Sequence, residues 1–129
     1  MLREVIKYQD YDGNEYEEPF YFNLSRSELI KLQTSIPGGL EQMINNIIAA
    51  KDQNALMSMF SKIIHLAYGE KSPDGKHFVK SEELATAFEQ TMAYDNLFME
   101  LIQDADKAAA FINGILPNDA KTDIKKLPE

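Results

Sequence analysis

The sequence predicts a mainly α protein: a compact bundle of about five helices preceded by an N-terminal β-hairpin. The first 24 residues alternate apolar and polar side chains with a period of two, as a half-buried strand does. From residue 25 onward, apolar residues recur at the three- and four-residue spacing of amphipathic helices. Serines that suit helix starts, together with glycines and prolines, divide this second region into segments of helix length.

Length and composition favour one globular domain. The chain has 129 residues, of which 44% are hydrophobic and 26% charged, as is usual for folded proteins. We expect a single domain over residues 1–117, made of a hairpin (1–24) and a helical bundle (25–117), and then a mobile tail (118–129). No apolar run is long enough to cross a membrane. Cysteine is absent, which excludes disulfides and thiolate chemistry.

The net charge of −8 is unevenly distributed. Residues 1–24 carry −4, residues 25–81 carry +2, residues 82–107 carry −6, and the remainder is neutral. An acidic protein lacks the basic surface that nucleic acids require, so we expect no nucleic-acid partner. The charge division could support head-to-tail self-association or orient a basic partner helix. The alternative is that these acids form a solvated helix face.

The hairpin prediction rests on alternation around a turn at Asp12, Gly13 and Asn14, because Asp-Gly suits a tight reversal. Pro19 has no amide hydrogen, so the second strand should be an edge or leave that position unpaired. The exposed edge could add a strand from another subunit, or the aromatic side chains could simply pack on the helices. The alternating apolar residues are Leu2, Ile6 and Tyr8 before the turn, and Tyr16, Phe20, Phe22 and Leu24 after it.

Three helices are predicted between Ser25 and Gly69. Ser25 and Glu28 have the spacing of a capping box, and Pro37 to Gly39 end the first helix. A weak break near Lys51 separates the second and third helices, and Gly69 is expected to cap the third. The inward stripe of the second helix is Leu40, Met43, Ile44, Ile47 and Ile48. That of the third is Leu56, Phe60, Ile63, Ile64 and Ala67.

The remaining pattern predicts a turn at residues 72–75, with Phe78 and Val79 folding back on the core. Ser81 then caps a long acidic helix. A last helix begins at Asp104 or Asp106 and stops at Pro117. The expected inner face of the acidic helix is Leu84, Phe88, Thr91, Met92, Phe98, Leu101 and Ile102.

The acidic helix also has apolar residues around its side, at Tyr94, Leu97 and Met99. So wide an apolar arc suggests a surface for a partner protein, since aromatic and methionine side chains are common in adaptable binding grooves. The predicted partner-binding residues are Glu89, Tyr94, Asp95, Leu97, Phe98, Glu100 and Leu101.

We find no catalytic residues, cofactor-binding motif or metal site in the sequence, and we expect no enzyme activity. The two histidines, His65 and His77, do not have metal-ligand spacing, and His65 is expected to be a structural imidazole. The acidic stretch from Asp10 does not match a calcium loop, because Glu15 falls at the position that requires glycine.

The order and spacing of five segments resemble the short tail assembly chaperones of long-tailed, siphovirus-type bacteriophages and prophages of Gram-positive bacteria. The likeness extends from the hairpin to Pro117. The segments are FYFNLSRSELIKL (20–32), GGLEQ (38–42), AYGEKSPDGKHFVKS (67–81), FEQTMAYDNLFMEL (88–101) and DADKAAAFINGILP (104–117).

The resemblance implies a protein of the host cell cytoplasm that is absent from the mature virion. Members of the family bind the tape measure protein and keep it soluble until tail tube subunits polymerise around it. A longer form made by ribosomal frameshifting recruits the tube protein, and this chain resembles the short, unframeshifted form. Two alternatives stay open: a non-viral helical adaptor or regulatory subunit, and a structural tail component retained in the virion.

Overall fold

A computed structural model describes residues 1–35 and 53–117, together with the single positions 38, 39, 42, 45 and 49. Within these residues the chain forms a four-stranded antiparallel sheet and five helices. The prediction of a mainly α bundle after an N-terminal hairpin is confirmed. The elements are β1 (Leu2–Gln9), β2 (Glu15–Phe22), α1 (Arg26–Ser35), α2 (Gln53–Ala67), β3 (Tyr68–Lys71), β4 (Phe78–Val79), α3 (Glu82–Glu89), α4 (Met92–Gln103) and α5 (Ala105–Ile115).

The hairpin has the predicted turn. Gly13 has a φ of +90°, in the region that glycine occupies without steric cost. The Asp10 carboxylate accepts hydrogen bonds from the amides of Asp12 and Asn14, at 3.0 and 2.8 Å. The Asp10 carboxylate therefore organises the backbone of this turn.

Pro19 occupies a position where no amide hydrogen is needed. The Asp10 amide donates to the Asn14 carbonyl at 2.8 Å, so these two residues form a hydrogen-bonded pair. Along an antiparallel ladder, hydrogen-bonded pairs alternate with non-hydrogen-bonded pairs. Pro19 lies opposite Val5, which makes this a non-bonded pair. The Pro19 nitrogen therefore points away from β1, and on that side β2 pairs with β3 only at Tyr21 and Phe22, so the position is left unpaired, which was one of the two expectations.

The same alternation directs the Lys7 carbonyl toward the outer edge of β1. The Asn96 side-chain amide of α4 donates a hydrogen bond to that carbonyl at 3.0 Å. α4 packs against β1 along this region. One of the two expectations for the edge, strand addition from another subunit, would therefore have to displace a helix here.

The strands β3 and β4 were not predicted. Gly69 lies in β3 opposite Tyr21 and does not have a positive φ, so its predicted role as a helix cap is wrong. A Cβ on Gly69 would lie 2.7 Å from a Phe78 ring carbon and 2.8 Å from the Val79 carbonyl oxygen. Glycine is present because β4 approaches closely. Phe78 is half-buried, but Val79 is exposed and does not fold back on the core as predicted.

The predicted long acidic helix is two helices. Ser81 caps α3 by accepting from the Leu84 amide at 3.0 Å, as predicted, but α3 ends at Glu89. Thr91 then caps α4, accepting from the Tyr94 amide at 3.2 Å and donating to the Phe88 carbonyl at 2.7 Å. Asp104 caps α5 as predicted. Of the predicted inner face, Phe88 and Leu101 are buried and Phe98 and Ile102 pack half-buried against the core. Because the chain changes direction at Thr91, α4 also buries Ala93 and Leu97, which were not predicted to face inward.

The core lies between the even-numbered face of the hairpin and the helices. Phe88 is central to it: its ring stacks on Tyr68 with centroids 4.3 Å apart and also contacts Phe20 and Phe22. The hairpin aromatics thus pack on the helices, which was the second expectation for them, although Tyr16 is exposed. The buried core residues are Ile6, Phe22, Leu24, Leu29, Leu32, Phe60, Ile63, Ile64, Ala67, Phe88, Ala93, Leu97, Leu101, Ala108, Phe111, Ile112, Ile115 and Leu116.

Some predictions lie outside the described residues. These are the stripe of the second helix, the break near Lys51 and the tail at 118–129, and the same holds for the side chain of Leu56. None of the helices that the structure describes has the length and hydropathy of a membrane span.

Candidate functional site

An open groove runs between α2, the end of α3 and the middle of α4, with a volume of about 750 Å³. Met57, Leu66 and Phe98 supply its apolar surface, and Met57 is 40% exposed. Ser58, Ser61, Lys62, His65 and Glu89 complete the lining. The groove combines a partly exposed apolar floor with charged groups at its margins, which is the arrangement that suits an amphipathic helix.

Three of the predicted partner-binding residues lie at this groove. Glu89 and Phe98 line it directly. Tyr94 supports it from below: its ring stacks on Phe98 with centroids 5.8 Å apart, and its hydroxyl is hydrogen-bonded to Ser61. Burial raises the pKa of Tyr94 above its usual value, which already lies well above neutral pH.

Leu97 and Leu101 do not reach this surface. Each is only 4% exposed, because both belong to the face of α4 that packs into the core. The break at Thr91 accounts for this. On one long helix, Leu97 would lie outside the face that packs on the core, which suggested a surplus of apolar residues. Because α4 is a separate helix with its own direction, Leu97 lies on its core-facing side.

Asp95 and Glu100 are exposed on α4, but Glu100 faces away from the groove. It lies in a separate depression with Lys7, Asn96 and Met99, where its carboxylate pairs with the Lys107 ammonium at 2.9 Å. Burial and the neighbouring Glu100 carboxylate raise the pKa of Glu4 on β1. The acids of the predicted surface are therefore divided between different faces of the protein.

His65 forms the polar wall of the groove. Its Nδ1 lies 2.8 Å from the Glu89 Oε2 and its Nε2 lies 2.7 Å from the Glu82 Oε2. The hydrogen bond to Glu89 raises the pKa of His65 above its ordinary value of 6.5, burial opposes the rise, and Glu82 adds to it. His65 thus links α2 to α3 through two carboxylates, a more specific role than the structural imidazole that was predicted.

The contribution of α2 to the groove was missed in the sequence. Its apolar stripe from Phe60 to Ala67 predicts which residues face the core, and these four are buried as expected. The groove uses the opposite edge of the helix, where Met57 and Lys62 lie. An exposed methionine outside the core stripe was the one available signal, and nothing local connects it to Phe98.

The described residues contain no group of three or more histidine or acidic side chains placed to hold a metal ion. Glu82 and Glu89 approach His65 from opposite ring nitrogens, so these three groups cannot converge on one ion. The residues that line the groove can make apolar contacts, hydrogen bonds and ion pairs with a bound segment.

Comparison with known proteins identifies a family. The family model described as phage tail assembly chaperone matches residues 1–127, nearly the whole chain. Comparisons with curated proteins and with solved structures give no match. The match spans both the hairpin and the helices that form the groove. This chain therefore belongs to the phage tail assembly chaperone family.

Proposed function

We propose that this chaperone binds the tape measure protein, keeps it soluble and helps recruit tail tube subunits during tail morphogenesis. The groove between α2 and α4 is the binding surface in this proposal. The observation that supports it is the apolar floor formed by exposed Met57 and half-buried Leu66 and Phe98, in a protein whose family acts in tail assembly.

The client in this proposal is an amphipathic helical segment of the tape measure protein. Such segments expose apolar stripes before assembly and would aggregate without cover. The apolar floor receives the stripe, while Glu89 and Lys62 at the margins orient the helix more than they strengthen binding. No bond is made or broken, so the proposed activity is not enzymatic.

Many weak copies can protect one long client. Repeated binding along a single polymer gains avidity, while each contact stays individually displaceable by incoming tube protein. We propose that copies also associate with one another, and that a longer frameshifted form recruits the tube protein. In this scheme the chaperone acts in the host cytoplasm and leaves before the virion matures.

Two matched methionine substitutions test the groove. Met57 and Met99 are 40% and 41% exposed, and both lie on helices, but only Met57 lines the groove. Met57→Asp places a carboxylate on the apolar floor and should abolish recovery of soluble tape measure protein on co-expression. Met99→Asp carries the same chemical change on another face and should leave recovery at the wild-type level.

The readouts are the soluble fraction of the tape measure protein and co-purification of the two chains, with sedimentation velocity to follow self-association. If Met99→Asp were the damaging change and Met57→Asp harmless, the binding surface would lie on the outer side of α4. If wild-type protein neither co-purified with the tape measure protein nor raised its solubility, the proposed client would be wrong.

Charge reversal at two of the predicted partner-binding acids tests whether position in the groove matters. Glu89→Lys, in the groove, should weaken co-purification, whereas Glu100→Lys, beside Lys107, should not. Equal effects of the two substitutions would mean that net charge, and not the groove, governs client binding.

A further inference from the structure

The imidazole of His65 contacts both ends of a neighbouring helix. Glu82 and Glu89 are the first and last residues of α3, and each contacts a different ring nitrogen of His65 on α2. The two contacts, at 2.7 and 2.8 Å, are within the range of charge-assisted hydrogen bonds.

The hydrogen-bonding capacity of these groups decides the protonation state. An ionised carboxylate only accepts hydrogen bonds, and a neutral imidazole has one N–H donor and one lone pair. With neutral His65, one of the two contacts would oppose a lone pair to a carboxylate oxygen. The imidazolium donates from both nitrogens and satisfies both contacts at once.

We propose that protonated His65 clasps Glu82 and Glu89, and that this clasp makes the α2–α3 wall of the groove responsive to pH. His65 and Glu89 both line the groove. The inference rests on the proposed function only for the identity of the groove as a client surface. Loss of the proton removes one of the two hydrogen bonds and the charge attraction, which loosens the wall on which a client helix would lie.

Other charged groups near His65 do not replace the clasp. On α2, Lys62 lines the same groove one turn earlier. Lys80 approaches the end of α2 at the Leu66 carbonyl, but it is already paired with Glu28. From α4, Tyr94 reaches this side of α2 through Ser61. The two glutamates of α3 are thus the acids that face the imidazole among the described residues.

The sign of the pH dependence follows from the raised pKa of His65. Because the folded-state pKa lies above the unfolded value of 6.5, the stabilising contribution is fully present below that pH. It is lost as the pH rises through the folded-state pKa. The side chain of His65 is 34% exposed, so solvent screens the interaction and a modest effect is expected.

The test is an NMR titration of the His65 ring in the full-length protein. In the wild type, His65 should titrate above the ordinary histidine value of about 6.5. Glu82→Gln and Glu89→Gln should each lower that midpoint. Glu83→Gln removes the same charge from the same turn without contacting His65 and should leave the midpoint unchanged. A wild-type midpoint at or below about 6.5, or an equal shift with Glu83→Gln, would overturn the clasp.

Thermal unfolding gives a second readout. The wild type should exceed His65→Gln in Tm by roughly 2 to 4 °C at about pH 6, and the gap should close at alkaline pH. His77→Gln, a change in the exposed loop, should show no such gap. A gap that is constant with pH would also overturn the clasp. Neither measurement involves a client, so a failed Met57→Asp test would remove the proposed function and leave these results standing.

Discussion

The Lys80 ammonium lies 2.7 Å from the Glu28 Oε1, and this contact connects the start of α1 to the segment before α3. Lys80 also donates to the carbonyls of Asn23 and Leu66, at 2.6 and 2.9 Å. Glu28 in turn accepts from the Ser25 amide at 2.9 Å, as the capping box predicts. One lysine therefore joins three segments that are distant in sequence.

Removing that lysine should destabilise the fold. Lys80→Met keeps much of the apolar stem but removes the hydrogen bonds that the ammonium donates to two carbonyls and to the Glu28 carboxylate. We expect a loss of about 2 kcal/mol in the free energy of unfolding, measured by urea denaturation. Lys76→Met, in the exposed turn, is the control and should change stability by less than about 0.5 kcal/mol. Similar losses in both variants would mean that the change in net charge, and not the loss of the Lys80 contacts, lowers the free energy of unfolding.

The ion pair between Lys80 and Glu28 should make the stability of the protein fall at acid pH. Burial opposes ionisation of Glu28, but the hydrogen bonds from Lys80 and Ser25 outweigh it and lower its pKa below the usual 4.5. Its contribution is therefore present above pH 4.5 and is lost as the pH falls through the folded-state pKa. The Tm advantage of the wild type over Glu28→Gln should shrink between about pH 6 and about pH 3. Glu83→Gln, an exposed acid, provides the comparison; an advantage that persists at low pH would contradict this origin.

Gly69→Ala should destabilise the protein, whereas Gly114→Ala should be close to neutral. At Gly69 the new methyl would meet the Val79 carbonyl at 2.8 Å, and backbone cannot move aside cheaply, so Gly69→Ala should cost about 2 kcal/mol. At Gly114, inside α5, it would meet the tip of the Leu2 side chain at 2.8 Å, which can rotate. The helical preference of alanine, worth up to about 1 kcal/mol, offsets that contact. Denaturation midpoints measure both, and equal costs would contradict the close approach of β4.

The break between α3 and α4 depends on the Thr91 cap. Thr91→Ala removes the acceptor for the Tyr94 amide, and we expect a loss of about 1 kcal/mol by chemical denaturation. Thr86→Ala, at an exposed position within α3, should be neutral or slightly stabilising because alanine favours helix. If Thr91→Ala proved as harmless as Thr86→Ala, the cap would not be needed to hold the break.

The mainly α class, the hairpin turn and the caps at Ser25, Ser81 and Asp104 could be read from local pattern, since each depends on residues close together in the chain. The split of the acidic helix could not. No glycine or proline marks it, and the break is supported by a distant residue: the Tyr11 hydroxyl donates to the Gln90 carbonyl at 2.9 Å. The strands β3 and β4 likewise depend on distant residues, because β3 pairs with Tyr21 and Phe22 of β2 and β4 pairs in turn with β3.

The features of the candidate site also fall into those that local sequence determines and those that depend on tertiary packing. The sequence alone determined that the chain has amphipathic helices, an acidic segment and apolar side chains in excess of one helix face, because periodicity and charge are properties of neighbouring residues. Only the tertiary structure decided that Phe98 and Glu89 share a groove with Met57 and that Leu97 is buried. Which faces meet depends on the directions in which helices cross, and those directions are fixed by packing between residues far apart in the chain.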